Sequence, residues 1–258
     1  SGEIFFNNHD LLKKNRKEMQ NIRGKKIAMI FQDPMSTLNP VLTIGEQLVR
    51  VIQKNMNISK KEAISKSMEM INLVKLPDAK NIIKKYPHEL SGGQRQRIII
   101  ALALSCGAEF LIADEPTRNL DVTIQAGIIK LLAELKEKLN VTVLFITNNL
   151  ALVSIICDQI IVLFQGEIVE KGTIHEVIRN PAHPYTKSLL KALPNTKDQE
   201  IYIKRLFIAS DNSSNGCSYY NKCSNKMSRC QNEYPFLEIL NGTHYVACHK
   251  KTGDDVNE

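Results

Sequence analysis

Two adjacent glycines open a predicted helix in Leu90–Arg97, the most specific stretch of the sequence. Gly92 and Gly93 leave backbone N–H groups uncovered by side chains, and the helix dipole adds positive potential there, so the segment suits a phosphate group. Ser91 adds a hydroxyl donor. A Gly-Gly turn that only caps a helix is the alternative interpretation.

Two carboxylates, Asp114 and Glu115, leave the end of the apolar run Phe110–Ala113 together. A continuous apolar run is typical of a parallel strand buried on both faces. Ligands of open parallel sheets bind at the carboxyl ends of the strands. Asp114 could hold Mg²⁺ there, because Mg²⁺ prefers hard oxygen ligands. Glu115 could orient an attacking water or accept its proton. Two solvated acids at the start of a loop are the alternative.

The elements that must place these groups alternate between strands and helices. Strands are expected at 26–31, 110–113 and 141–146, helices at 95–105, 124–139, 150–157, 175–180 and 186–193, and a hairpin at 160–170. Apolar residues between 43 and 85 recur at three- and four-residue steps, which predicts helices there, and Ser59 with Glu62 forms a capping box. The alternation predicts an α/β fold with a parallel sheet covered by helices.

The composition is that of an ordinary globular chain. It has 258 residues, of which 43% are hydrophobic and 24% charged, and this excludes a mainly disordered protein. The longest apolar run, Ile98–Leu104, is too short to cross a bilayer. The first eight residues lack the pattern of a signal peptide. The net charge of +7 comes from lysines scattered among acids, which indicates a solvated face and no nucleic-acid partner.

Four of the six cysteines fall near the C-terminus, at Cys217, Cys223, Cys230 and Cys248. The cysteines of a secreted disulfide scaffold would be spread through a short chain, so a reduced compartment is expected. Four thiolates in a loop-rich segment can hold a [4Fe–4S] cluster or a zinc ion, with His244 and His249 as substitute ligands for zinc. Unliganded thiols are the alternative.

Four motifs in this order resemble the nucleotide-binding subunits of ABC transporters: Gln32, Leu90–Gln94, Asp114–Glu115 and Asn119–Asp121. The resemblance extends over essentially the whole chain. It implies an α/β fold with a RecA-like parallel-sheet ABC ATPase core, an inserted helical subdomain and a small Cys-rich C-terminal extension. It also implies ATP and Mg²⁺ as ligands, and ATP hydrolysis as the activity.

The resemblance implies a role for each motif. Gln32 matches the Q-loop glutamine, which reaches the metal and the attacking water. Asp114 matches the Walker B aspartate and Glu115 the catalytic glutamate, while Asp121 matches the D-loop aspartate. In an ABC dimer the signature motif of one chain completes the ATP site of the other, and it corresponds here to Ser91, Gly92, Gly93 and Gln94.

Further segments resemble the importers of oligopeptides, dipeptides and nickel. They are Asp33–Pro40, Asp121–Ala126, Gly166–Glu170 and Asn180–Thr186. The resemblance implies a cytoplasmic chain at the inner face of the cell membrane. Its implied partners are a second ATP-binding subunit, two membrane permeases and, indirectly, an external peptide-binding protein. The Cys-rich extension of such importers implies an iron–sulfur cluster. Nickel or another small solute is the alternative cargo. An ATPase of DNA repair or translation is disfavoured by His183–Tyr185 and by the cysteines near the C-terminus.

Two features depart from the family pattern. The sequence contains no Gly-Lys-Ser/Thr phosphate loop, which the resemblance places before Ser1. Asn148 stands where the family usually has the switch histidine, and a neutral amide cannot carry the charge of an imidazolium. We therefore expect an impaired ATP site in this chain, while Ser91–Gln94 could still complete the site of the partner. A non-hydrolytic scaffold or regulatory subunit is the alternative.

The motifs divide the chain into four expected parts. They are the truncated N-terminal part of the ATPase core at 1–42, the helical subdomain ending in the signature motif at 43–96, the core with Walker B and D-loop at 97–178, and the C-terminal extension with four cysteines at 179–258. The last boundary rests on Gly172–Asn180, where the pattern of apolar residues changes.

Overall fold

A computed structural model describes residues 2–33, 37–192 and 216–250 of the chain. The chain divides into two compact units, Ser1–Asn148 and Asn149–Glu258. The four-part division expected from the motifs stays a prediction. None of the helices in the described ranges is long and apolar enough to cross a membrane.

The first unit is built on a parallel three-stranded sheet. Its elements are β1 Phe5–Phe6, β2 His9–Asp10, α1 Arg16–Ile22, β3 Ile27–Ile30, α2 Ile44–Met56, α3 Lys60–Leu73, α4 Ala79–Ile82, α5 Gly92–Leu104, β4 Phe110–Asp114, α6 Val122–Leu139 and β5 Thr142–Ile146. The strands β3, β4 and β5 pair in that order, and both pairs are parallel. The predicted α/β fold with a parallel sheet is thereby confirmed, and β1 and β2 form a separate antiparallel pair.

The central strand of this sheet has one buried face and one partly exposed face. Leu111 and Ala113 are buried, whereas Phe110, Ile112 and Asp114 are only partly buried. The prediction that β4 is buried on both faces is therefore wrong. Successive side chains of a strand point to opposite faces, and only the face of Leu111 and Ala113 lies in the core of the unit.

The chain between β3 and β4 forms the predicted helical block. Capping boxes begin α2 and α3, where Glu46 accepts from the backbone N–H of Thr43, and Glu62 from that of Ser59. The helix α2 ends at Met56 and is capped by Asn57, whose φ of 55° is left-handed. The helix α3 packs against both α2 and α5, so the block is attached to the helix that begins at the diglycine.

The second unit contains an antiparallel four-stranded sheet. Its elements are α7 Leu150–Ile156, β6 Gln159–Phe164, β7 Glu167–Thr173, α8 Ile174–Arg179, α9 Pro184–Lys191, α10 Arg229–Asn232, β8 Glu238–Asn241 and β9 His244–Val246. The strand order is β6-β7-β9-β8. The predicted hairpin of β6 and β7 is present, and a C-terminal hairpin that the sequence analysis did not predict extends it. The core of this unit includes Val162, Phe164, Val177 and Tyr219.

Candidate nucleotide site

The predicted site residues of the first unit follow three neighbouring strands. Gln32 follows β3, Asp114 ends β4 and Glu115 follows it, and Asn148 follows β5. Asp114 lies opposite Ile146 in the register of β4 and β5. The backbone N–H of Glu115 donates to the carbonyl of Ile146 over 2.9 Å. Since the strands are parallel, these side chains belong to one edge of the sheet, where ligands of such sheets bind.

Glu115 and Gln32 are in direct contact although they lie 83 positions apart in the sequence. Gln32 Nε2 donates to Glu115 Oε2 over 2.6 Å. The backbone of Glu115 has a φ of 42°, in the left-handed region that a residue with a Cβ adopts at a cost of about 1 kcal/mol. This turn redirects the chain directly after β4. The structure therefore brings together the glutamine and the carboxylate that the resemblance assigns to the attacking water.

Arg118 is a member of this cluster that the sequence analysis missed. Its Nη1 donates to the same Oε2 of Glu115 over 3.1 Å. The Arg118 side chain is 53% exposed, whereas that of Glu115 is 22% exposed. In the structure, the backbone N–H of Arg118 donates to the carbonyl of Glu115 over 3.0 Å and closes a turn. The spacing of three residues between Glu115 and Arg118 was the signal in the sequence that could have indicated this contact.

The segment after Arg118 is held at the start of α6. Asp121 caps that helix, and its carboxylate accepts from the N–H of Ile124 over 2.9 Å. Gln125 Nε2 donates to the carbonyls of Thr117 and Leu120 over 3.0 and 3.1 Å. One amide of α6 thus ties down two carbonyls of the loop that carries the predicted D-loop aspartate.

The diglycine lies at the first turn of α5. Ser91 caps the helix: its Oγ accepts from the N–H of Gln94, and Gln94 Oε1 accepts from the N–H of Ser91 over 3.0 Å. Ser91 is exposed, and Gly92 and Gly93 are half-buried. The structure thus leaves this segment at the surface of the unit, as a contact with another chain requires.

The glycines also serve a packing role that the sequence analysis missed. A Cβ on Gly93 would lie 2.8 Å from Ile124 Cγ2, and one on Gly92 would lie 3.3 Å from Leu120 Cδ2. Glycine at these positions therefore permits a close approach between the first turns of α5 and α6.

The four C-terminal cysteines line one small cavity of the second unit: Cys217, Cys223, Cys230 and Cys248. Burial raises the pKa of the Cys217 thiol to about 11, and the pKa values of Cys223 and Cys248 also rise through burial. The described residues contain no group of three or more His, Cys, Asp or Glu placed to hold a metal ion. The predicted iron–sulfur cluster and its zinc alternative are therefore not supported by this geometry.

The two histidines predicted as substitute zinc ligands have other partners. His244 is 1% exposed, and its Nε2 lies 2.7 Å from Glu170 Oε1. His249 Nδ1 lies 2.9 Å from Arg229 Nη2, and His249 Nε2 lies 3.0 Å from the carbonyl of Glu233. Both rings are thus used in hydrogen bonds within the second unit.

Glu170 joins two of the importer-like segments. Its carboxylate is fully buried and accepts from the backbone N–H groups of Ala182 over 2.7 Å and of His183 over 3.0 Å. His244 of β9 supplies the third contact. His183 in turn caps α9, with Nδ1 accepting from the N–H of Tyr185 over 3.1 Å. The Gly166–Glu170 and Asn180–Thr186 segments therefore meet at one carboxylate.

We expect the stability of the second unit to fall as the pH drops from about 6.5 towards 4. Burial lowers the pKa of His183 to about 4, from an ordinary value of 6.5. Between these values the unfolded chain binds a proton that the folded chain does not, so acid favours unfolding by up to about 3 kcal/mol. Urea denaturation at pH 7.5 and pH 4.5 measures the difference.

The variant His183→Asn is the matched control, because asparagine keeps a capping oxygen and does not titrate. Its stability should be lower at pH 7.5, yet it should lose less stability between the two pH values than the parent chain. An equal loss in both proteins would contradict the assignment to His183.

Two family profiles match this chain. The profile described as "ABC transporter" matches residues 1–118, and the profile "Oligopeptide/dipeptide transporter, C-terminal region" matches residues 169–230. The first match includes the candidate site residues Gln32, Asp114 and Glu115, and the second includes the segment around Glu170 and His183.

Curated relatives align over nearly the whole chain. The dipeptide transport ATP-binding protein DppD of Bacillus subtilis is 42% identical over 250 residues, which are 96% of this chain and 75% of the relative. The oligopeptide transport ATP-binding protein AppD of the same organism is 42% identical over 251 residues, 96% of this chain and 76% of the relative. The oligopeptide transport ATP-binding protein OppD of Escherichia coli is 40% identical over 255 residues, 96% of this chain and 74% of the relative.

Solved structures show the same fold. The ATP-binding cassette MJ0796 in its dimeric state with ADP and Pi gives a TM-score of 0.60 at 28% identity, over 67% of this chain and 74% of that one. The cbiO1 protein of Clostridium perfringens gives a TM-score of 0.62 at 25% identity, over 78% and 76% of the two chains. The fold is that of an ATP-binding cassette, a class that hydrolyses ATP with Mg²⁺.

The particular branch follows from the identities over most of the chain and from the C-terminal profile. The chain belongs to the oligopeptide/dipeptide family of ABC transporter ATP-binding proteins. The resemblance stated from the motifs is thereby confirmed. Importer subunits of this class work as dimers with membrane permease subunits, and the relatives are components of membrane transporters.

Proposed function

We propose that this chain hydrolyses ATP to energise an importer of oligopeptides or dipeptides at the inner face of the cell membrane. The observation that carries the proposal is the 2.6 Å contact between Gln32 and Glu115 at the ends of two parallel strands. The names of the relatives support the cargo, since they are dipeptide and oligopeptide transport proteins. Uptake of labelled dipeptides and oligopeptides, compared with Ni²⁺, by vesicles with the assembled transporter tests the cargo.

The site residues divide the chemistry of hydrolysis between them. Glu115 orients the attacking water and accepts its proton as the water oxygen bonds to the γ-phosphorus and the bond to ADP breaks. Gln32 contacts the carboxylate and senses the permease. Asp114 would hold the magnesium ion, which neutralises charge on the phosphates when bound. Asp121 and the Ser91–Gln94 segment serve the site shared with the partner subunit.

The partners follow from the same proposal. They are a second ATP-binding subunit, identical or related, two membrane permeases and, on the outer side, a peptide-binding protein. The surface position of Ser91 and the half-buried state of Gly92 and Gly93 support a contact with the second ATP-binding subunit. Closure of the dimer on ATP and reopening after hydrolysis would then drive the permeases.

Asn148 lowers the rate of ATP hydrolysis at this chain's own site in our proposal. It is exposed and follows β5 at the same edge as Glu115. Its amide offers a hydrogen bond but no positive charge near the γ-phosphate, and loss of one preorganised donor costs on the order of 10²–10³ in rate. Because the amide still donates, the loss here should be smaller.

We expect Asn148→His to raise the ATP hydrolysis rate of the assembled transporter about tenfold, since imidazole restores a donor that can carry charge. Phosphate release measures the rate, and Asn149→His is the control at the neighbouring position. An unchanged or lower rate with Asn148→His would show that position 148 does not limit the site.

We also propose that the cavity lined by the four cysteines binds a [4Fe–4S] cluster, with a zinc ion as the alternative. All four cysteines line the same cavity, and four thiolates are the usual ligands of such a cluster. To bind it, the thiols would have to move into a ligand arrangement that the described residues do not have here. Binding would have to displace the protons that burial retains on these thiols. Iron and acid-labile sulfide in anaerobically purified protein would support the cluster, zinc would support the alternative, and neither would overturn both.

A further inference from the structure

One oxygen of the Glu115 carboxylate accepts from two side chains. Gln32 Nε2 lies 2.6 Å from Oε2, and Arg118 Nη1 lies 3.1 Å from the same atom. Neither of these bonds uses Oε1. The two donors therefore restrict the rotation of the carboxylate and leave Oε1 outside both bonds, free to accept from the attacking water of the proposed function.

The backbone places Arg118 where it can make this contact. Glu115 has a left-handed φ of 42°, and the N–H of Arg118 donates to the carbonyl of Glu115 over 3.0 Å. The turn brings the side chain at the third position back to the carboxylate. Thr117 inside the turn is buried, and its carbonyl accepts from Gln125, so the turn itself is anchored independently of Arg118.

We propose that Arg118 is a positioning residue of the hydrolytic site, acting through the carboxylate of Glu115. The inference rests on the proposed function of Glu115. Without Arg118, one hydrogen bond from Gln32 holds a carboxylate whose terminal torsion has broad minima. Misplacement of a reacting group by about 1 Å costs on the order of 10²-fold in rate. Since Gln32 remains, we expect a loss of about tenfold.

The exposure of Arg118 allows an effect on the position of the Glu115 carboxylate to be distinguished from an effect on the stability of the fold. Arg118 is about half exposed, and an exposed ion pair contributes little to stability. Arg118→Gln should therefore leave the urea denaturation midpoint nearly unchanged. Lysine at this position keeps the charge but presents a single ammonium in place of the planar fork, so Arg118→Lys should restore part of the rate.

The kinetic experiment compares Arg118→Gln, Arg118→Lys and the exposed-arginine control Arg23→Gln in the assembled transporter. We expect kcat to fall about tenfold in Arg118→Gln with KM for ATP within twofold, a smaller fall in Arg118→Lys and no change in Arg23→Gln. Adding Arg118→Gln to Glu115→Gln should change nothing further, because the group that it positions is already lost. A rate unchanged or raised by Arg118→Gln would overturn the proposal.

A second readout does not depend on turnover. The side-chain amide of Gln32 shares Oε2 with Arg118, so its two N–H resonances in ¹⁵N NMR spectra of the chain should shift in Arg118→Gln and shift less in Arg118→Lys. Unmoved resonances would overturn the proposed contact. If Glu115→Gln leaves ATP hydrolysis intact while the resonances move, the proposed function fails and the contact of Arg118 stands.

Discussion

Replacing Glu115 by glutamine is expected to lower ATP hydrolysis by the assembled transporter about 100-fold. The amide keeps the size of the side chain but cannot accept a proton from water, and a positioned general base contributes about 10²–10⁴ in rate. The contact with Gln32 shows that the carboxylate is already held at the strand ends. Phosphate release at saturating ATP measures the effect.

Glu109→Gln is the matched control for this experiment. Glu109 directly precedes β4, is exposed and contacts Asn7 and Lys26 at the surface. The rate of ATP hydrolysis in Glu109→Gln should therefore stay within twofold of that of the parent transporter. An unchanged rate in Glu115→Gln would favour the non-hydrolytic alternative. In that case Ser91→Arg should still abolish turnover, because the signature segment would remain the contribution of this chain to the partner's site.

Replacing Glu170 by alanine is expected to destabilise the second unit by about 3–5 kcal/mol, the usual cost of removing one partner from a buried charged network. The carboxylate is fully buried and accepts from Ala182, His183 and His244. Alanine would leave these three donors without an acceptor. Urea denaturation at pH 7.5, where His183 is neutral, measures the loss.

Two further variants calibrate this result. Glu167→Ala changes another acid of the same strand that is partly exposed, and it should alter stability by less than about 0.5 kcal/mol. Glu170→Gln keeps one acceptor oxygen, so its loss of stability should lie between those of Glu167→Ala and Glu170→Ala. A loss below about 1 kcal/mol in Glu170→Ala would mean that water reaches the three donors and that the network is not closed.

Patterns within a few residues predicted most of the elements. The capping box of Ser59 and Glu62 marks the start of α3 in both the sequence and the structure. The apolar runs predicted β3, β4 and β5 within about one residue at each end. The missed hairpin of β8 and β9 had a local signal too, since Gly242 and Thr243 form a two-residue turn with glycine at its first position, at a φ of 48°.

Contacts between distant residues could not be predicted in this way. Glu170 and His244 lie 74 positions apart, and the sequence between them carries no periodic signal that joins them. The apolar residues of β4 indicated that the strand packs against other apolar groups, but they did not show whether one or both faces of the strand are buried. The cysteine spacing indicated a shared site, yet the structure alone shows that the thiols surround a cavity without an arrangement ready for an ion. The three-residue spacing between Glu115 and Arg118 could have indicated their contact. The sequence does not show the left-handed turn at Glu115 that brings the two side chains together.

The missing side chain of Gly93 has a mechanical consequence. With Ile124 Cγ2 in the space where a Cβ would stand, the first turns of α5 and α6 are in van der Waals contact, so neither can move towards the other without a clash. A force applied to one helix start must displace the other. Pressure from a companion chain on the diglycine would thus be transmitted through Ile124 to the loop behind Glu115, without any hydrogen bond having to break.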